Sequence, residues 1–375
     1  MAQFDMVFEG GGAKGSVFAG ALDVLIKDGH THRRLIGTSA GAITATLIAA
    51  GYQPQALLDA VNEKLPDGKP RFSSFMDPPV ASDFSDEQRQ NSETMEALTH
   101  VHIPGFLDHI LLNKLLDSRA YCHLFSLVEC GGYFAGSNFL EWLIEKLAAK
   151  GIGANTTFTE FFSQTGTDLS LLASDTSDVE RLVLNHRTAP DCPVAWAVRM
   201  SMSIPFVWRE VAWRAEWGLY RGRAKDGTGS SNGLPSVIVD GGVLSNFPLG
   251  LIADQPEPGS ENEAIMGDTD AQAAGNLGLL IDEAIPVAGA ANTAKTPLLI
   301  EHARTVQRLG RLVDTMMGAQ DNDEIRDHEK EICRLPAKGY GTTEFDMTEE
   351  RLNALVEAGR TAMRAHLAAR NLAGG

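Results

Sequence analysis

Cysteine is scarce in this chain. Four occur among 375 residues, Cys122, Cys130, Cys192 and Cys333, and none has CxxC spacing. That argues against a disulfide framework or a thiolate metal site and for reduced, partly covered thiols. Positive charge is also in deficit. With 32 Lys and Arg against 49 Asp and Glu, the net charge is −17. Such a surface repels phosphate backbones, which argues against a nucleic-acid partner and against simple electrostatic adsorption to anionic membranes. No apolar run approaches the roughly 20 residues that span a bilayer. The opening MAQFDMVFEGGG lacks the basic and apolar regions of a secretory signal. The expectation is a cytoplasmic protein, with export by a signal-independent route left open. Solenoid repeats, low-complexity tracts and like-charge tails are missing as well.

What is present is enough apolar sequence for a large core: 43% hydrophobic against 22% charged residues. The length suits one α/β domain over 1–375 with insertions. Phe4 to Phe8 reads as a short buried strand, followed by Gly10-Gly11-Gly12-Ala13-Lys14-Gly15 and a helix from Val17 to Ile26. Arg34 to Ile36 reads as a second strand, broken at Gly37-Thr38-Ser39-Ala40-Gly41 before a buried helix from Ala42 to Ala50. Two strand–turn–helix units in tandem predict a three-layer α/β/α fold with a mostly parallel central sheet.

Prolines 66, 70, 78, 79 and 104 loosen the pattern over 66–136, read here as an insertion or lid, with Phe106 to Leu116 helical. Its apolar stripe suits core packing, with a transient membrane-surface contact as the second reading. Ser137 is the expected N-cap of the next helix. Strands are expected at Leu169–Ser174, Arg181–Asn185, Val237–Val239 and Asn276–Ile281. Helices are expected at Val194–Met202, Pro297–Met317 and Thr348–Leu372, and a surface loop at 216–235.

The sharpest chemical signal is GTSAG. Glycines two residues either side of a serine suit a tight strand-to-helix turn that lifts the hydroxyl clear. The following helix turns its amides and positive dipole end toward developing negative charge. A serine hydroxyl needs a base. None of the ten histidines sits in an obvious strand-end loop, which turns attention to a carboxylate. Asp240 ends the strand Val237–Val239 and is followed by Gly241 and Gly242. Under the rule that sites lie beyond the carboxyl ends of parallel strands, it is the candidate base for Ser39. Gly10, Gly11 and Gly12 supply closely spaced amides for an oxyanion hole, where losing one donor raises a barrier by about 3 to 4 kcal/mol. Lys14 either holds that loop or meets an anionic head group.

Two other readings stay open here. One is an α/β-hydrolase triad in which His302, His328 or His366 serves as base. The other is a nucleotide-binding module, since Gly10, Gly12 and Gly15 spell GxGxxG. The second strand, however, carries no acid at its end to bind a ribose, and Lys14 precedes Gly15 where a Walker A loop needs the reverse order.

GGGAKG at 10–15, GTSAG at 37–41 and DGG at 240–242 together resemble the patatin-like phospholipases. Ser201-Met202-Ser203-Ile204-Pro205 is similar to that family's ASxxxP element, with Met200 where Ala is common. Phe345-Asp346 before a long helix resembles its closing segment. The resemblance implies a Ser–Asp dyad without catalytic His, formed by Ser39 and Asp240. It also implies an oxyanion hole from the glycine loop, with Gly11 and Gly12 the foremost donors. Ser201 and Pro205 would line or support the site, as would Gly37, Gly41, Gly241, Gly242 and Lys14. The implied activity is hydrolysis of acyl esters of phospholipids or other lipids, calcium-independent and without a metal or cofactor.

Overall fold

The computed structural model describes residues 1–90, 92–99, 118–228, 233–253, 259–267, 275–289 and 321–371, with 308, 312 and 315 as single positions. The expected helix at 106–116, the one at 297–317 apart from those single positions, and His302 lie outside the described residues. Among the described residues, ten strands run β1 (Gln3–Phe8), β2 (Thr31–Thr38), β3 (Gly132–Phe134), β4 (Asp168–Asp175), β5 (Glu180–Leu184), β6 (Phe206–Trp208), β7 (Val211–Ala212), β8 (Val237–Asp240), β9 (Gly275–Pro286) and β10 (Ile332–Lys338). The helices that shape the site are α1 (Val17–Lys27), α2 (Ala40–Ala49), α3 (Pro54–Val61), α4 (Ser137–Ala148), α5 (Val194–Ser201) and α6 (Glu349–Ala369).

The main sheet has the order β10-β9-β1-β2-β4-β8-β7, with β5 also on β4. It is parallel from β10 through β4 and antiparallel beyond. Side chains alternate between its faces, as strand geometry requires. Phe4, Met6, Phe8, Leu35, Leu169, Leu171 and Ala173 point into one core, under α1, α2 and α6. Val7, Ile36 and Leu172 point into a second core, closed by residues such as Phe247, Leu251 and Ile265 around two short helices, Gly250–Ala253 and Glu261–Met266. Helices thus cover both faces of a mostly parallel sheet, as expected.

Asp240 departs from that expectation. Its strand β8 runs antiparallel to β4, not parallel to its neighbours, so the parallel-strand rule did not place it. The register of β4 does. Leu171 to Asp175 pair with β5 on one side. On the other side β2 pairs as far as Thr38 with Leu172, and β8 takes over at Asp240 with Ala173. Strands β2 and β8 therefore meet end to end along one edge of β4.

Ser137 is not a cap. It opens α4, whose N-cap is Gly136 in the left-handed region. The orphan amides are capped from afar, by Asp77, which accepts from Gly136, Ser137 and Asn138 at 2.6, 2.8 and 3.2 Å. The 216–235 segment is less superficial than expected, since Trp217, Tyr220 and Lys225 are buried. None of the four cysteines forms a disulfide, and all but Cys130 are buried. No helix among the described residues is long and apolar enough to cross a membrane.

Candidate active site

Ser39 sits between β2 and α2 with φ 52° and ψ −117°. A side chain at such a backbone is strained by on the order of 1–3 kcal/mol, a conformation that survives only where the surroundings enforce it. Here the glycines of GTSAG do so. A Cβ on Gly37 would stand 2.3 Å from the Gly41 carbonyl oxygen, and one on Gly41 would stand 2.2 Å from that of Phe8. Only glycine lets β1, β2 and the first turn of α2 close this tightly. The hydroxyl does not cap its own helix and remains available.

Ser201 and Ser203, at the end of α5, fix both partners. The Ser39 amide donates to Ser201 Oγ at 2.9 Å, and the Asp240 amide donates to the Ser203 carbonyl at 2.9 Å. Arg199, fully buried, donates to Ser203 Oγ and to the Ala135 carbonyl. Burial pulls its guanidinium down to about 10. Arg199 escaped notice in the sequence because it belongs to no motif, and Ser203 because it falls at an unspecified position of the ASxxxP element. Pro205 stands beyond this clamp, next to Ile204, which lines the pocket described below.

Asp240 is wholly buried. Its Oδ1 accepts from the Gly242 amide at 2.8 Å, and its Oδ2 has no hydrogen-bond partner. Burial pushes the carboxyl up to about 7. The Ser39 hydroxyl and the Gly242 amide pull against that rise. The hydroxyl is thus near enough to be felt, while a full Ser39–Asp240 hydrogen bond is not closed. Gly241 allows the approach to β4, since a Cβ there would meet the Leu172 carbonyl oxygen at 2.5 Å.

The glycine loop lies beside Ser39. A Cβ on Gly10 would come within 3.2 Å of Ser39 Cβ. Gly10 itself is not a candidate donor, because its amide donates to the Asn246 carbonyl at 3.2 Å. Ala13 and Lys14 donate to Thr342 and Gly11 carbonyls. Among the described residues the Gly11 and Gly12 amides have no acceptor in the protein. Lys14 is buried and pairs with Glu283, so it holds the loop and does not project toward solvent. Asn246 and Glu9 support the loop from behind. Asn246 Nδ2 donates to Glu9 Oε1 at 3.1 Å and to the Gly10 carbonyl at 3.3 Å, and the Ile281 amide donates to Glu9 Oε2 at 2.5 Å. Although Glu9 as a residue is only part-covered, its carboxyl end is enclosed, and that burial pushes it up to about 8. Asn246, four residues past the DGG, was the legible hint.

Over Ser39 opens a pocket of about 690 Å³, counting its open mouth. Gly12, Ser39 and Ala40 form its polar end. Ile43, Leu47, Leu57, Phe75, Trp142 and Trp208 are among its apolar walls. Among the described residues no histidine lines it. His328 faces Glu331 at 3.6 Å, and burial lowers His366 on α6 to about 4. The described residues contain a group of three carboxylates, Asp175, Asp178 and Glu180, with metal-ligand spacing. Lys225 Nζ already fills it, at 2.7, 2.6 and 2.8 Å.

Comparison with known proteins finds the family model of patatin-like phospholipases matching residues 6–253. The uncharacterised protein YqhO of Bacillus subtilis is 30% identical over 367 residues, 95% of each chain. Triacylglycerol lipase 4 of Saccharomyces cerevisiae is 27% identical over 252 residues, 66% of this chain but 22% of the yeast protein. Among solved structures, VipD of Legionella pneumophila overlaps 98% of this chain and 67% of its own at 15% identity, with a TM-score of 0.46.

Proposed function

This chain belongs to the patatin-like phospholipase family, and on that footing we propose that it is a lipid acyl hydrolase working through Ser39 as nucleophile and Asp240 as base. The observation that carries the reading is the meeting of β2 and β8 on one edge of β4. It sets a strained serine, itself buried but lining the pocket, against a buried carboxylate whose Oδ2 has no partner. A carboxyl lifted to about 7 is a usable base near neutral pH, where an ordinary one would be too weak.

Asp240 Oδ2 takes the Ser39 proton as Oγ bonds to the ester carbonyl carbon. The oxyanion so formed accepts hydrogen bonds from the Gly11 and Gly12 amides, with the N-terminus of α2 adding its dipole. The intermediate collapses with loss of the alcohol, which takes the proton from Asp240. Water then attacks the acyl-serine, gives its proton to Asp240, and Ser39 is released with its proton restored. The acyl chain lies in the apolar pocket, and the reaction needs no calcium. No observation favours the histidine triad or the nucleotide-binding module.

Ser39→Ala should reduce hydrolysis of a short-chain nitrophenyl ester by about 10⁴-fold or more while the protein keeps its melting temperature. An acyl-fluorophosphonate should label the wild type at Ser39 alone, as read by peptide mass spectrometry. Wild-type rates in Ser39→Ala would remove the assignment.

A further inference from the structure

The pocket over Ser39 has a neighbour. A second hollow, about 450 Å³ with its mouth, adjoins it, and Ser16, Val61, Phe72 and Phe345 line both. Phe72 and Phe345 are each half-buried although they stand against the core. Beyond this shared wall the second hollow is lined by Ala13, Pro70, Met347 and Leu352. Its charged lining residues are already paired. Lys64 Nζ lies 2.8 Å from Glu349 Oε2, and Arg351 Nε lies 2.8 Å from Glu344 Oε1. An anionic head group would therefore meet a lysine in use and two carboxylates, whereas an apolar chain would meet compatible walls.

We infer that this second hollow receives the second acyl chain of a diacyl glycerolipid while the first is cut at Ser39. The inference rests on the reading of Ser39 given above. Two esters on neighbouring glycerol carbons send their chains out from almost the same point. With one carbonyl at Ser39, the other chain needs a separate apolar path that begins close by. The glycine loop supplies the fork, because Gly12 lines the first hollow and Ala13, the next residue, lines the second. Two chains diverging from one backbone match two apolar hollows diverging from one wall. A monoacyl lipid would use only the first.

The test fills the second hollow from residues that do not line the first, with Met347→Trp and separately Leu352→Trp. For each variant that melts like the wild type, kcat/KM is measured on a diacyl phosphatidylcholine and on its monoacyl counterpart in the same detergent micelles. The diacyl-to-monoacyl ratio should fall about tenfold, the effect of excluding two methylenes from an apolar wall. The fall should appear in KM and should be rescued when the second chain is shortened to acetyl. A wild-type ratio in either folded variant overturns the inference, as does an equal loss on the acetyl lipid. A wild type that cuts only the monoacyl lipid overturns it while leaving Ser39 in place. A wild type that cuts neither, with Ser39→Ala no different, overturns the reading of Ser39 and the inference together.

Discussion

A carboxylate at full burial with one oxygen unpartnered is an uncomfortable group, and Asp240 is held there by its neighbours. Its pKa is raised from 3.8 to about 7, so the neutral form is the one the fold favours. The linkage has a definite sign. The stabilisation is complete below pH 3.8 and is lost as pH rises through 7, a loss of at most on the order of 4 kcal/mol. Asp240→Asn should therefore be close to neutral for stability at pH 4 and stabilising at pH 8, as read by thermal unfolding at both values. Hydrolysis by the wild type should follow the opposite course, with kcat/KM rising through an acid limb near pH 7. A limb near pH 4 would mean the carboxyl is not desolvated as described. At this scale the sequence read the strand-to-helix turn at Ser39, because glycine spacing and strand–helix order are local signals. It pointed to Asp240 by a parallel-strand argument that the antiparallel β8 does not obey. It included Gly10 among the oxyanion donors, although that amide faces a carbonyl from residue 246, a contact no local pattern reveals.

Helix α4 shows the same limit one level up. Its start looked like Ser137, since serine is a common cap, yet the capping oxygens come from Asp77, 60 residues earlier. Asp77 lies in the 66–136 stretch read from its prolines as an insertion, which through Phe72 and Phe75 also walls the pocket over Ser39. Three amides hang on that carboxylate. Asp77→Ala should reduce stability by about 1 to 2 kcal/mol in urea unfolding. Because α4 contributes Phe139 and Trp142 to the same pocket, KM for long-chain esters should rise with it. Helices α1 and α2 were predictable from their apolar runs and closing glycines, since both are buried nearly all round and depend little on remote partners.

Over the whole molecule, the segment at 216–235 was expected as a surface loop because Gly, Ser and Arg dominate it. Its buried Lys225 reaches three carboxylates at the end of β4 and the start of β5. Burial works against the charge, but the hydrogen bonds to Asp175, Asp178 and Glu180 outweigh it and hold the ammonium above its ordinary value. Removing one partner from such a buried group leaves uncompensated charge. Lys225→Met should therefore lower stability by about 3 to 5 kcal/mol. The loss should shrink as pH is lowered and the carboxylates take up protons, which chemical denaturation across pH would reveal.

The end-to-end meeting of β2 and β8 carries a consequence for how such an enzyme comes into being. A nascent or unravelled chain holds Ser39 and Asp240 about two hundred residues apart, and β4 has to bring both together before the proposed pair can exist. Contacts of such long sequence separation are slow to form, so, on the proposed pair, activity waits for both strands to dock on β4. Fragments that lack either strand would therefore lack the proposed pair.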